Sequence, residues 1–210
     1  MPIYESSPAG GALRQGEILS NVVEARIDVR TLQGEGEPEL EEKNHPLAVV
    51  MTQDCDLSWD YRARSQPDPE ERTKLANKTL PNVLLCELGY ADQLRGKRTI
   101  QSDLWRRIRA NQDERYHILH PVPADCDTQG QGFPELAVDF KRVFTVRTEE
   151  LYFRLATEAQ RRSVLCGLFM QDLSTRFGYY QLRVPLPELP PSQPAPPQLA
   201  AALPPHPQEA

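Results

Sequence analysis

Apolar residues in this chain come in short runs set between long polar stretches. Residues 16–19 and 22–29 open the series, the second with Ala25, Ile27 and Val29 at alternating positions, the period of a half-buried strand. Residues 47–51, Leu-Ala-Val-Val-Met, form an unbroken apolar run of the kind expected for a buried strand. Residues 82–88, 116–119, 136–140 and 143–146 read as further strands. Residues 31–44 hold Gly34, Gly36, Pro38 and five glutamates, and read as a polar loop.

Helical spacing is sparser. Residues 102–109 predict a helix, with Ser102 as N-cap and Leu104, Ile108 and Trp105 on its apolar face. Pro67-Asp-Pro69 predicts the start of a short helix that ends at Lys78, with proline placed early. Residues 149–155 and 157–177 predict two more. The last carries Val164, Leu165, Leu168, Phe169 and Leu173 at helical spacing and should pack on the sheet. Short strands followed by a long C-terminal helix predict an α+β fold with a mostly antiparallel sheet.

The two ends differ from the middle. Residues 1–12 are rich in Ser, Pro, Gly and Ala and are expected to be disordered. Residues 185–210 hold ten of the twenty prolines, a composition that favours extended polyproline and packs no core. The folded domain is therefore expected over residues 13–184. No apolar run reaches the roughly 20 residues of a membrane span, and residues 1–16 have no signal-peptide core. Four cysteines, Cys55, Cys86, Cys126 and Cys166, are widely spaced with no C-x-x-C pair, which is no zinc-ribbon or redox pattern. A cytoplasmic protein with reduced thiols is the expectation. The net charge of −6 gives no global field for phosphates, so nucleic-acid binding would need a local basic patch.

Candidate chemistry gathers where the 47–51 run ends. Thr52, Gln53, Asp54, Cys55 and Asp56 follow at once, placing a thiol and two carboxylates at what reads as one strand end. Free cysteine is most often a small buried hydrophobe, but flanking carboxylates make full burial costly. A catalytic thiolate wants a positive neighbourhood, and these aspartates supply the opposite. Cys55 with His45, His117 and His120 also offers zinc-type ligands. On a strand, however, His117 and His120, three apart, face opposite sides. No cofactor is expected. A basic stretch from Arg95 to Arg115, with Arg106, Arg107 and Arg109 around Trp105, offers an RNA or acidic-protein surface. The commoner reading is a solvated helix face, with Asp103, Asp113 and Glu114 as partners.

Two segments carry a family resemblance. Gly16-Glu-Ile-Leu followed by His45-Pro-Leu-Ala-Val-Val-Met-Thr resembles an opening strand, loop and Arg-Pro-x-Leu-Val-x-Ser/Thr strand. Val138-Asp-Phe-Lys-Arg-Val-Phe-Thr-Val146, then Leu151 and Arg154-Leu155, resembles a late strand leading to a last helix. Both belong to the pattern of MazF/PemK-like toxins, and together they cover about a third of the chain. The chain also resembles uncharacterised bacterial proteins with a Thr-Gln-x-Cys-Asp element. The MazF resemblance implies a small SH3-like antiparallel β-barrel with inserted helices and a C-terminal helix. It implies a bacterial defence or toxin–antitoxin-type system, a protein partner, and RNA cleavage where the site is intact.

In place of that pattern's arginine stands His45. An imidazole titrates near neutral pH and serves as acid or base, but lacks the permanent forked charge that suits a phosphate transition state. No second catalytic position is matched. The resulting expectation is a non-catalytic interaction module, binding through Gln53, Asp54, Cys55 and Asp56, through Arg106, Arg107 and Arg109, or through the C-terminal helix with its proline-rich extension. The alternatives are an endoribonuclease using His45, Thr52 and an arginine of the basic stretch, and a zinc domain on Cys55, His117 and His120. A homodimer is left open.

Overall fold

The described residues, 2–33 and 37–182, of the computed structural model hold seven strands and six α-helices. In chain order they are β1 (Tyr4–Ser6), β2 (Glu17–Ile27), β3 (Leu40–Val50), α1 (Asp54–Arg64), α2 (Pro69–Lys74), β4 (Asn82–Tyr90), α3 (Ala91–Arg95), α4 (Ser102–Arg109), β5 (Tyr116–Leu119), β6 (Leu136–Arg147), α5 (Thr148–Leu155), β7 (Gln160–Leu165) and α6 (Gly167–Leu182). The strands form one antiparallel sheet in the order β1-β7-β2-β3-β4-β6-β5. The fold is α+β. No helix among the described residues is long and apolar enough to cross a membrane.

The middle of the sheet is covered on both faces. Leu47 and Val49 of β3 join a core with Cys86, Val138 and Leu173 of α6. Ala48 and Val50 join a second core with Leu19, Leu85, Leu57 of α1 and Leu151 of α5. A strand buried on both faces has no polar side to show, which is why residues 47–51 form an unbroken apolar run. A third cluster packs Leu94 of α3 and Ile108 of α4 on Tyr116, Ile118 and Ala137, with Leu104 and Trp105 partly buried against it.

The expected closed barrel does not form. The sheet is open, with β1 and β5 as its edges. The two edges do come near each other: the Tyr4 hydroxyl donates to the carbonyl of His120, just past β5, at 2.7 Å. α6 occupies the room that strand closure would need. Its Leu173, Phe169 and Phe177 enter the same core as Tyr4 from one edge and Leu119 from the other.

Several local expectations are also corrected. Residues 4–6, expected in a disordered terminus, form β1 on β7. A buried ion pair holds the segment that follows. Arg161 donates to Glu17 at 2.5 and 3.0 Å and to the carbonyls of Gly11 and Ala12 at 3.1 and 2.9 Å, while Glu17 also accepts from the Arg14 amide and the Ser7 hydroxyl. Residues 40–44, expected in a polar loop, extend β3 along β2. Their charges pair across the ladder, with Glu24 opposite Lys43 and Arg26 opposite Glu41.

The helix expected over 157–177 is a strand and then a helix, broken at Gly167 with φ +40. The N-cap of α4 is Gln101, with Ser102 already helical. The proline-rich segment 185–210 lies outside the described residues.

Candidate functional site

A corner in the sheet creates the site. Asn21 and Pro46 stand opposite each other in the β2–β3 register, between Ser20↔Leu47 and Val22↔His45. Asn21 has φ +56, and Pro46 has no N–H to give a ladder. A regular strand puts residues two apart on one face. Here Leu47 joins the core under α6, whereas His45 stacks on Phe144 of the opposite core.

The β3–β4 ladder runs over Val50↔Leu85, Val49↔Cys86 and Ala48↔Glu87 and goes no further among the described residues. β3 continues along β2, and β4 continues along β6 to Tyr90↔Leu136. The two strands therefore part, leaving a cleft of about 360 Å³ whose walls include Lys43, His45, Glu87, Gly89, Tyr116 and Arg142. It runs on, past Pro46, Leu88 and Tyr90, into a hollow of about 530 Å³ bordered by Gln131, Phe133 and Arg162.

A charged network forms one wall. His45 is 1% exposed, and its ring lies on Phe144 with centroids 3.7 Å apart. Its Nε2–H donates to Glu24 at 2.9 Å. Its Nδ1 lies 3.0 Å from Glu87 Oε1, off the line of a hydrogen bond. Glu87 sits where the β4–β6 register shifts, an irregularity that re-aims a side chain. It accepts from Lys43 and, at 2.8 Å, from Arg142. Burial would raise the Glu87 carboxyl, and these two cations outweigh it, leaving it below the ordinary carboxylate range. Glu24 is held low in the same way: burial opposes, and hydrogen bonds from Arg26 and His45 prevail. Asp139 closes the far side, accepting from Arg115 at 2.7 and 2.6 Å.

The residues expected to form a site are scattered. Thr52 Oγ1 accepts from the Leu84 amide at 2.8 Å, a structural tie between strand ends. Gln53 is the N-cap of α1, and Asp54, Cys55 and Asp56 form its first turn rather than a strand end. Asp54 accepts from the Gln15 amide at 2.6 Å, and Cys55 is exposed. None of these residues has a hydrogen bond or ion pair with His45. Arg106, Arg107 and Arg109 project from the last turn of α4 toward Asp103, Asp113 and Glu135, at 3.2, 3.7 and 3.0 Å.

His117 is buried, and burial drives its pKa down to about 3, with Arg176 adding to the shift. His117 and His120 both border a small cavity of about 90 Å³ beside Asp172. Among the described residues, no three His, Cys, Asp or Glu side chains gather in a group that could hold a metal.

Sequence reading singled out one member of the network, His45. It missed Glu24, Lys43, Glu87, Asp139 and Arg142. Glu24 stood on an expected strand, but Lys43 fell in the expected polar loop 31–44, so their pairing across β2 and β3 was not visible. Glu87 and Arg142 are 55 residues apart and meet only through the β4–β6 pairing. Comparison of the chain with family models, with curated proteins and with solved structures returns no match.

Proposed function

We propose that this chain is a non-catalytic protein-interaction module and that the cleft between β3 and β4 is where it holds its partner. One observation carries the reading: His45, the side chain that would have to move protons in a MazF-like ribonuclease, is 1% exposed and locked between Phe144 and Glu24. A general acid or base must come within hydrogen-bond reach of the substrate proton. The position of His45 supports a structural role, and Thr52, engaged by the Leu84 amide, supports the same.

The segments resembling MazF/PemK-like chains support a role in a bacterial defence or toxin–antitoxin-type system, and the free, widely spaced cysteines support a cytoplasmic setting. The curled sheet with nearly meeting edges fits a divergent relative of an SH3-like barrel. Incubation of the purified chain with total RNA, with and without divalent cations, tests the reading. The expected result is intact RNA. Cleavage that disappears in His45→Ala would overturn it, provided the variant keeps its fold by circular dichroism.

A further inference from the structure

We infer that the cleft takes an extended, acidic segment of a partner protein as an added strand on β4. This rests on the interaction-module reading and specifies how the partner is held.

The backbone makes the first argument. Leu88, Gly89 and Tyr90 pair with β6 on one side only. Alternate N–H and C=O groups of a strand point to opposite sides, so this stretch presents free main-chain groups to the cleft. The β3 wall does not satisfy them: beyond Ala48↔Glu87 it pairs with β2 alone, and Pro46 lacks an N–H. An extended peptide supplies what is missing, as in strand addition generally.

Gly89 makes the second. It is exposed although it lies on an inner strand, and a Cβ built on it would meet no atom within 4 Å. The missing side chain leaves room for another backbone to come close.

Charge selects the partner. Lys43, Lys97 and Arg142 border the cleft, and Arg26 and Lys141 line an adjoining hollow that shares Lys43, Glu87 and Arg142 with it. Arg115 adds a sixth cation through its pair with Asp139. Against these six stand four carboxylates: Glu24, Glu41, Glu87 and Asp139. Lys97 and Lys141 form no ion pair among the described residues. A cationic cleft in a chain of net charge −6 draws a segment carrying Glu or Asp and rejects a basic one.

The test uses the full chain and a fluorescent synthetic peptide of alternating Thr and Glu, about ten residues long. Controls are the Thr–Lys peptide, the Thr–Glu peptide N-methylated at every second residue, and oligouridylate of equal length. Anisotropy should show the Thr–Glu peptide binding at least about tenfold more tightly than each control. Gly89→Leu, which fills the cleft, and Lys97→Glu, on the surface, should each weaken it about tenfold with the thermal midpoint unchanged.

No saturable binding, equal binding of the N-methylated peptide, or binding indifferent to both variants overturns the inference. Preference for oligouridylate overturns it in favour of nucleic acid. If the peptide fails while the tagged chain still retains a host protein, the mode of binding is wrong and the module reading stands. If RNA is cut through His45, the reading itself is wrong.

Discussion

The imidazole of His45 and the ring of Phe144 lie face to face, 3.7 Å apart and 3° from parallel. The stack joins β3 to β6 beside Glu87, the last residue of β4 that pairs with β3, so it braces the wall of the cleft. Truncating His45 removes the ring from a closed site and strips Glu24 of a buried partner. His45→Ala should cost about 3 kcal/mol in urea-induced unfolding. A change within about 0.5 kcal/mol would mean that the stack is not a brace.

Asp127 and Arg162 form a buried pair, with two bonds of 2.7 Å. Hydrogen bonds from Arg162, set against burial, hold the Asp127 carboxyl down at about 2, below its ordinary 3.8. For a depressed carboxyl, the added stability is complete above the unfolded-state value and vanishes as pH falls through the folded-state one. Stability should therefore drop between about pH 4 and pH 2, with this group contributing on the order of 2 kcal/mol. Asp127→Asn should remove that part of the slope. It should also cost about 3–5 kcal/mol at neutral pH, because Arg162 is left buried without its partner.

The loop that Asp127 organises offers a controlled pair of glycines. Both Gly130 and Gly132 have positive φ, +67 and +68. A Cβ on Gly130 meets nothing within 4 Å, whereas one on Gly132 would stand 2.5 Å from the Val122 carbonyl oxygen. Gly130→Ala should cost about 1 kcal/mol, the left-handed penalty. Gly132→Ala should cost several times more, on the order of 3–5 kcal/mol. Equal thermal midpoints for the two variants would contradict the loop geometry.

Thiol reactivity should follow burial. Cys55 is exposed on the first turn of α1, and Cys86 is fully buried, where burial pushes its thiol up. Ellman's reagent should modify Cys55 in the native protein and Cys86 only after denaturation. Rapid native labelling of Cys86 would place β4 outside the core.

How far the sequence could be read depended on whether the signal was local. β5 at Tyr116–Leu119 and α4 at Ser102–Arg109 match their expected bounds, because each is a clean local pattern. β7 was hidden: Val164, Leu165, Leu168 and Phe169 fit a helical period, though two of them lie on a strand. Gly167 was the breaker that marked the division. α1 was hidden by low amphipathicity, yet Asp54 and Asp56 in its first turn with Arg62 and Arg64 in its last are the charge order a helix dipole favours.

The cleft itself was out of reach. It exists because β3 and β4 diverge after Ala48↔Glu87, a fact of long-range register that no residue announces. Only Pro46 beside a strand run, and Gly89 just past the end of one, hinted that pairing would fail there.

The central claim is that the β3–β4 cleft holds a protein partner. Its most direct test is purification of the tagged wild-type chain and of tagged Gly89→Leu from the host cell, with quantitative mass spectrometry of what co-elutes. The account predicts a stoichiometric protein retained by the wild type and lost from Gly89→Leu at equal thermal midpoint. Equal retention by both chains, or recovery of shortened RNA with no protein partner, would contradict it.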